Sequence, residues 1–299
     1  MGSLFRHYLR RLYRELMPWL YSRRNYRLFL QRNFESLALR HLATICAGNS
    51  LSGFVRPITV RPPFGESMVV VAPHHDDEVI GAGGVILLQL KAQAEARVVI
   101  TQDGGDEHAE DGRTRAAQIR LREAEALKAA EIMHLTEPPT FLRLQTLQGK
   151  EQEELADSLE ALLLGAKADI VLSPFVLDYN HHHQLTNYAL AEALSRISRP
   201  PRVWGYEVWG LAIPNIIVNI DSVADIKFAA LRAYRSQLAG RDYVQGVQGL
   251  NMFHASSLGA GECRFAERFF DIPGIEFVQV VKDIQRATQD VNTGELRVF

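Results

Sequence analysis

Met68-Val69-Val70-Val71-Ala72-Pro73-His74-His75-Asp76-Asp77-Glu78 runs on into Val79-Ile80-Gly81-Ala82-Gly83-Gly84. Met68–Ala72 is a short apolar run rich in β-branched residues, as expected of a strand buried on both faces. The apolar pattern after the turn predicts a helix from about Val79 to Ala94. Between strand and helix stand five consecutive imidazole and carboxylate side chains.

Working outward, the same alternation repeats. Arg97–Thr101 reads as a strand and Arg113–Met133 as a long helix. Phe141–Leu144, the helix Glu151–Leu164, the strand Asp169–Ser173, the helix Gln184–Ile197 and the strand Val203–Trp209 follow. Strands alternating with helices of this length imply crossover units. The expected fold class is α/β, a Rossmann-like, mostly parallel sheet with helices on both faces. In such sheets ligands bind beyond the carboxyl ends of the strands. Upstream, Gly48–Ser67 carries Pro57, Pro62, Pro63 and Gly65 and reads as an irregular connector, 48–67.

The first 47 residues differ in character. Residues 1–50 hold nine arginines against two glutamates, about +7, in a chain whose net charge is −2. Leu4, Phe5, Tyr8, Leu9, Leu12, Tyr13 and Leu16 form an apolar helical stripe, with Arg6, Arg10 and Arg14 beside it. This predicts a basic amphipathic helical extension, 1–47. It suits either packing on the rest of the chain or a second subunit, giving an oligomer, or a peripheral seat on an anionic membrane surface. No apolar run reaches the ~18–20 residues of a membrane span. Arginines interrupt any signal-peptide core, so a cytoplasmic location is expected. Two cysteines, Cys46 and Cys263, cannot make a disulfide framework. The near-neutral net charge gives no reason to expect nucleic acid as a partner.

His74 and Asp77, three apart across a tight turn, can point a nitrogen and an oxygen at one centre. Neighbouring carboxylates repel one another, and a bound dication would reverse that repulsion. A helix N-terminus would account for Asp76, Asp77 and Glu78, but not for His74 and His75. A second cluster, Asp178-Tyr179-Asn180-His181-His182-His183, follows the strand Asp169–Ser173. One imidazole from it completes a set of two histidines and one carboxylate with a position left open, the arrangement of catalytic zinc.

In these residues the chain resembles the PIG-L/LmbE-like family of zinc-dependent N-deacetylases. The family signature (A/S)-H-P-D-D-E matches Pro73–Glu78, with His75 in the place of the usual proline. Thr101-Gln102-Asp103-Gly104 resembles its T-x-D-G step, and Arg122, Glu125 and Ala126 its R-x-x-E-A helix. Tyr206-Glu207-Val208-Trp209, then Lys227, Tyr234-Arg235-Ser236-Gln237 and Ala266-Glu267 resemble its C-terminal half. The resemblance spans about residues 66–270 and implies a single catalytic domain over 68–299. It makes His74, Asp77 and His183 the ligands of Zn2+ and Asp76 the general base. Asn180 stands where the family has its first motif histidine and His182 where it has aspartate, so both are catalytic candidates. Asp103 and Arg122 are candidates for substrate binding.

The implied activity is Asp-assisted attack of zinc-bound water on the acetyl group of an N-acetylglucosamine-type sugar, glycolipid or glycoconjugate. Two other readings stand beside it, a zinc amidase on a non-sugar amide and, through the departures at Asn180 and His182, a catalytically impaired metal-binding member. Gly81-Ala82-Gly83-Gly84 is not a dinucleotide fingerprint, since position 86 is isoleucine and acids crowd the preceding turn. The acidic loop Asp103 to Asp111 reads as solvated, with Asp103 at the cleft edge as the sharper alternative. Arg122 and Glu125 read as a helical pair, and Trp204, Tyr206 and Trp209 as core residues of one strand.

Overall fold

The computed structural model describes residues 57–105, 113–210, 212–238, 242–258 and 263–292. The expectation for residues 1–47 therefore lies outside the described residues. In order, the elements are β1 (Ile58–Thr59), β2 (Ser67–Ala72), α1 (Asp77–Lys91), β3 (Glu95–Gln102), α2 (Arg115–Ile132) and β4 (Thr140–Leu144). Next come α3 (Lys150–Ala166), β5 (Ile170–Pro174), α4 (His181–Arg196), β6 (Arg202–Tyr206) and β7 (Ile216–Asn219). The chain continues through α5 (Ala224–Leu231), α6 (Arg235–Leu238), α7 (Tyr243–Ala255), β8 (Ala266–Ile272) and α8 (Gly274–Asn292). The described residues up to Val281 belong to one compact unit, and from Lys282 the final helix belongs to another.

The sheet among the described residues has eight strands in the order β1-β7-β8-β6-β5-β2-β3-β4. The strand β8 is antiparallel to β6 and β7, and the other pairs are parallel. An α/β fold with a mostly parallel sheet is thus the observed architecture. Every residue of β2 is buried. Met68, Val70 and Ala72 join a core with residues of α1, α2 and α5, which leaves Val69 and Val71 for the other face, where α3 packs on β2 and on α4. That double burial explains why β2 shows no polar alternation. From β2 the chain winds outward to β3 and β4, then returns to place β5 on β2's other side. A crevice opens at such a reversal beyond the strand ends, and the loops after β2 and β5 carry the two histidine clusters.

Three boundaries depart from the sequence reading. The connector 48–67 is not irregular throughout, because Ile58 and Thr59 pair with Ile216 and Ile217. The helix expected from Gln184 begins at His181, where Asn180 caps it by accepting from His182 N (2.9 Å). The strand expected to reach Trp209 stops at Tyr206, the last residue paired with β5. Trp209 N and Gly210 N instead donate to the Asp178 carboxylate (3.0 and 3.3 Å). Trp204 and Tyr206 are core, while Trp209 is half-buried against Tyr243.

The Gly-rich start of α1 has a packing cause. Lys227 and Glu267, both fully buried, form an ion pair of 2.7 Å that reaches into the backbone of α1. Lys227 Nζ donates to Ile80 O (3.0 Å), and Glu267 accepts from Gly84 N (2.7 Å) and Val85 N (2.8 Å). A Cβ at Gly84 would lie 2.5 Å from Ile220 Cγ2 and 2.9 Å from Glu267 Oε1. Asn251 Oδ1 also accepts from Lys227 (2.9 Å), so every partner is satisfied. Removing one member leaves the other charge buried, which typically costs 3–5 kcal/mol. Lys227→Met is therefore expected to lower the stability by about 3–5 kcal/mol in urea titration, and the double change Lys227→Met/Glu267→Leu to recover part of that loss.

Candidate metal centre

The turn after β2 brings its side chains together through a constrained backbone. Asp76 has φ 111° and ψ −26°, a region that costs a non-glycine residue about 1–3 kcal/mol and persists only where the surroundings over-determine it. Its carbonyl accepts from Val79 N (3.0 Å) and Ile80 N (2.9 Å), opening α1. Asp77 and Glu78 occupy the first helical turn, where the exposed N–H groups favour negative charge. From the other side, the cap at Asn180 puts the three histidines on the first turn of α4. Of these, His183 is fully buried, His182 is half-buried and His181 is exposed. His181 turns away to Gln148 (3.0 Å).

His74, Asp77 and His183 meet. His74 Nδ1 lies 3.0 Å from Asp77 Oδ2, His183 Nε2 lies 3.1 Å from the same oxygen, and His183 Nε2 lies 3.2 Å from His74 Nδ1. Ligand atoms of a tetrahedral zinc, with bonds of about 2.0–2.1 Å, stand about 3.3 Å apart. The triangle needs to open by only a few tenths of an ångström to accept the ion. Two imidazoles and one carboxylate also leave a coordination position free, so the residues present fit a zinc ion. The set has the right donors and the right spacing, with Asp77 and His183 buried and His74 half-buried.

The electrostatics follow from this packing. Burial alone would push Asp77 up, but His183 and then His74 hold its carboxyl well below the usual carboxylate range. Burial would depress His183, yet Asp77 and Asp178 raise it to about 9. Asp76 is raised well above the usual range, first by burial and then by Asp77 and Glu78. A dication at the triad opposes both of those carboxylate repulsions.

Outside the triad, Asp178 faces His183 Nδ1 at 3.3 Å and also accepts from Asn180 N (2.9 Å), Trp209 N and Gly210 N. His74 Nε2 meets His182 Nδ1 at 3.1 Å. Each ligand ring is thus met at its second nitrogen, which fixes ring orientation and tautomer. From sequence alone Asp178 looks like one more polar loop residue, and its hold on the His183 ring emerges only from the fold. Asp178→Asn should weaken zinc binding about 10- to 100-fold, measured by competition with a chromophoric chelator, while secondary structure by circular dichroism stays unchanged.

The remaining candidates are placed less centrally. Asp103 is buried and uses both oxygens locally, accepting from Gly105 N (2.8 Å) and pairing with Arg115. It fixes the 103–105 corner against α2; residues 106–112 of the acidic loop lie outside the described residues. Gly104, at φ 72°, is required there, since a Cβ would meet Arg122 Cδ at 2.8 Å and His75 Nδ1 at 3.0 Å. Arg122 is half-buried with its Nε unpartnered. It does not pair with Glu125, whose carboxylate accepts from Ser236 N (2.8 Å) and Oγ (2.6 Å). The Arg122 charge acts instead on Asp76 and His75. His75 is buried and stacked on Phe141 (5.7 Å, 19° between planes), and burial, then Arg122, lower it to about 4. Among the described residues, no helix is long and apolar enough to cross a membrane.

With the geometry in place, the likenesses to known proteins can be set beside it. Residues 69–194 match the family model PIG-L, described as GlcNAc-PI de-N-acetylase. The "Probable N-acetyl-alpha-D-glucosaminyl L-malate deacetylase 2" of Bacillus subtilis (strain 168) is 29% identical over 195 residues, 58% of this chain and 85% of that protein. Among solved structures, the N,N'-diacetylchitobiose deacetylase of Pyrococcus horikoshii aligns with a TM-score of 0.61 at 20% identity, over 75% of this chain and 90% of that one. GalB, the 4-carboxy-2-hydroxymuconate hydratase of Pseudomonas putida KT2440, aligns with a TM-score of 0.55 at 23% identity, over 69% of this chain and 96% of that one. At those identities the structural likeness establishes the fold alone, and the hydratase shows that this fold hosts more than one chemistry. The matched segment contains both histidine clusters, and over residues 69–194 this chain is similar to the PIG-L family.

Proposed function

We propose that the chain is a metal-dependent N-deacetylase that hydrolyses the acetamide of an N-acetylglucosamine-type sugar conjugate. The observation that carries this reading is the triangle of His74, Asp77 and His183, with 3.0–3.2 Å between ligand atoms, beside the buried carboxyl of Asp76. The family and the amino-sugar substrates in the relatives' names support the substrate class. A zinc ion held by the triad supplies Lewis-acid chemistry, lowering the pKa of water toward ~7 and polarising the amide carbonyl.

The protein's own residues supply the rest. Asp76 accepts a proton from the attacking water as the new C–O bond forms. It returns that proton to the nitrogen as the C–N bond breaks, giving acetate and the free amine. Asn180 has its Oδ1 committed to capping α4, so only Nδ2 remains to donate to the developing oxyanion. His182, engaged by His74, orients that ring. Arg122, half-buried and with its charge acting on Asp76, binds a polar or anionic group of the conjugate. Asp103 shapes the corner that Arg122 lies over.

Acetate release by the zinc-loaded protein tests the reading, with N-acetylglucosaminyl malate, N,N'-diacetylchitobiose and a simple non-sugar acetamide as substrates. Release from the sugars and not from the simple acetamide is expected. Release from the acetamide alone would favour a non-sugar amidase, and zinc binding without any release a metal-binding member that has lost catalysis.

A further inference from the structure

The segment that closes over the Asp76 turn from outside is α6 with the residue before it, Tyr234 to Leu238. Its polar side chains reach in three directions. Tyr234 is fully buried and its hydroxyl donates to Glu78 Oε1. The other oxygen of that same carboxylate, Glu78 Oε2, accepts from Asp76 N (3.2 Å). Gln237 Nε2 donates to His75 O (3.2 Å), the carbonyl of the peptide that enters Asp76. Ser236 N and Oγ both donate to Glu125 on α2, which anchors the segment to a second element. The peptide that enters Asp76 is therefore held at its carbonyl directly, and at its N–H through Glu78, from a point about 160 residues later in the chain.

We propose that Tyr234 and Gln237 are positioning residues that clamp the Asp76 turn in its left-handed conformation and so aim the Asp76 carboxyl. This rests on the reading of Asp76 as the base. A residue at φ 111° relaxes toward ordinary backbone unless its neighbours prevent it. Its own helix grips the peptide that leaves Asp76, through Val79 N and Ile80 N on the Asp76 carbonyl, but Asp76 makes no side-chain cap hydrogen bond. What fixes the entering peptide is a pair of hydrogen bonds, one to its carbonyl direct from Gln237 and one from its N–H to Glu78, whose carboxylate Tyr234 holds. Without them the turn can relax while His74, Asp77 and His183 keep their donors, so orientation is lost before metal.

The test compares Tyr234→Phe, Gln237→Leu and, as a control on the same short helix, Arg235→Ala, whose side chain is exposed. In the zinc-loaded full chain, Tyr234→Phe and Gln237→Leu are expected to lower kcat about 10- to 10²-fold with KM within about twofold and zinc content unchanged, and Arg235→Ala to match the parent. Hydrogen exchange supplies a readout free of turnover. Amides of the 73–80 peptide should exchange faster in both variants, with those of α3 and α4 unaffected. Should Tyr234→Phe fail to fold, Gln237→Leu alone decides. Parental kcat and parental exchange in the folded variants would overturn the clamp, as would a loss confined to KM or one restored by excess zinc. A fully active Asp76→Asn would instead overturn the underlying assignment of the base, and the clamp's catalytic purpose with it.

Discussion

Asp76→Asn is expected to lower kcat about 10²- to 10⁴-fold, the span a positioned general base supplies, with zinc still bound. The substitution keeps shape and removes only the capacity to take a proton. Asp76 does not belong to the ligand triangle, whose oxygen comes from Asp77, so metal content should not follow activity down. The loss should sit in kcat rather than KM, because the proton transfer belongs to the transition state. A variant that lost metal along with activity would mean that Asp76 ligates, and one with full activity would remove it from the chemistry.

The second large effect is at His183. Apparent binding free energies of structural zinc sites, about 10–16 kcal/mol over four ligands, correspond to roughly 3 kcal/mol per ligand. His183→Ala should therefore weaken zinc by about 10²-fold or more and abolish turnover at limiting metal. The three adjacent histidines form an internal comparison. His181 is exposed and bonded to Gln148, so His181→Ala should bind zinc as the parent does. His182 touches His74 from outside the triangle, and His182→Ala should fall between the two. Zinc content by atomic absorption after dialysis ranks the three. Retention of zinc by His183→Ala alongside its loss in His182→Ala would shift the third ligand by one residue.

Much of this was legible because the informative residues lie where the fold forces them to be. A doubly buried strand such as Met68–Ala72 shows itself by composition, and five ionisable side chains at its end have few structural reasons to coexist. That His183 joins His74 and Asp77 in one group was reachable from the order of the motifs. The rest depended on contacts distant in sequence. Asn180 read as a catalytic candidate, and its use as the cap of α4 emerged only when the helix was seen to start at His181. Glu125 lies three residues after Arg122 and read as its helical partner, yet Ser236 claims it from 111 residues away. The strand β8 was not expected, because the buried charge of Glu267 disguises it as surface until Lys227 is found opposite. Trp209 left its expected strand because Asp178, itself held by the His183 loop, captures the backbone beyond Tyr206.

Acetate release from an N-acetylglucosaminyl conjugate, followed as metal-free protein is titrated with zinc, tests the metal dependence directly. The triangle of His74, Asp77 and His183 predicts a rate that is at background without metal and rises in proportion to zinc until one ion per chain is bound. Release at the full rate from protein stripped of metal, or a rate unrelated to the zinc bound, would contradict it.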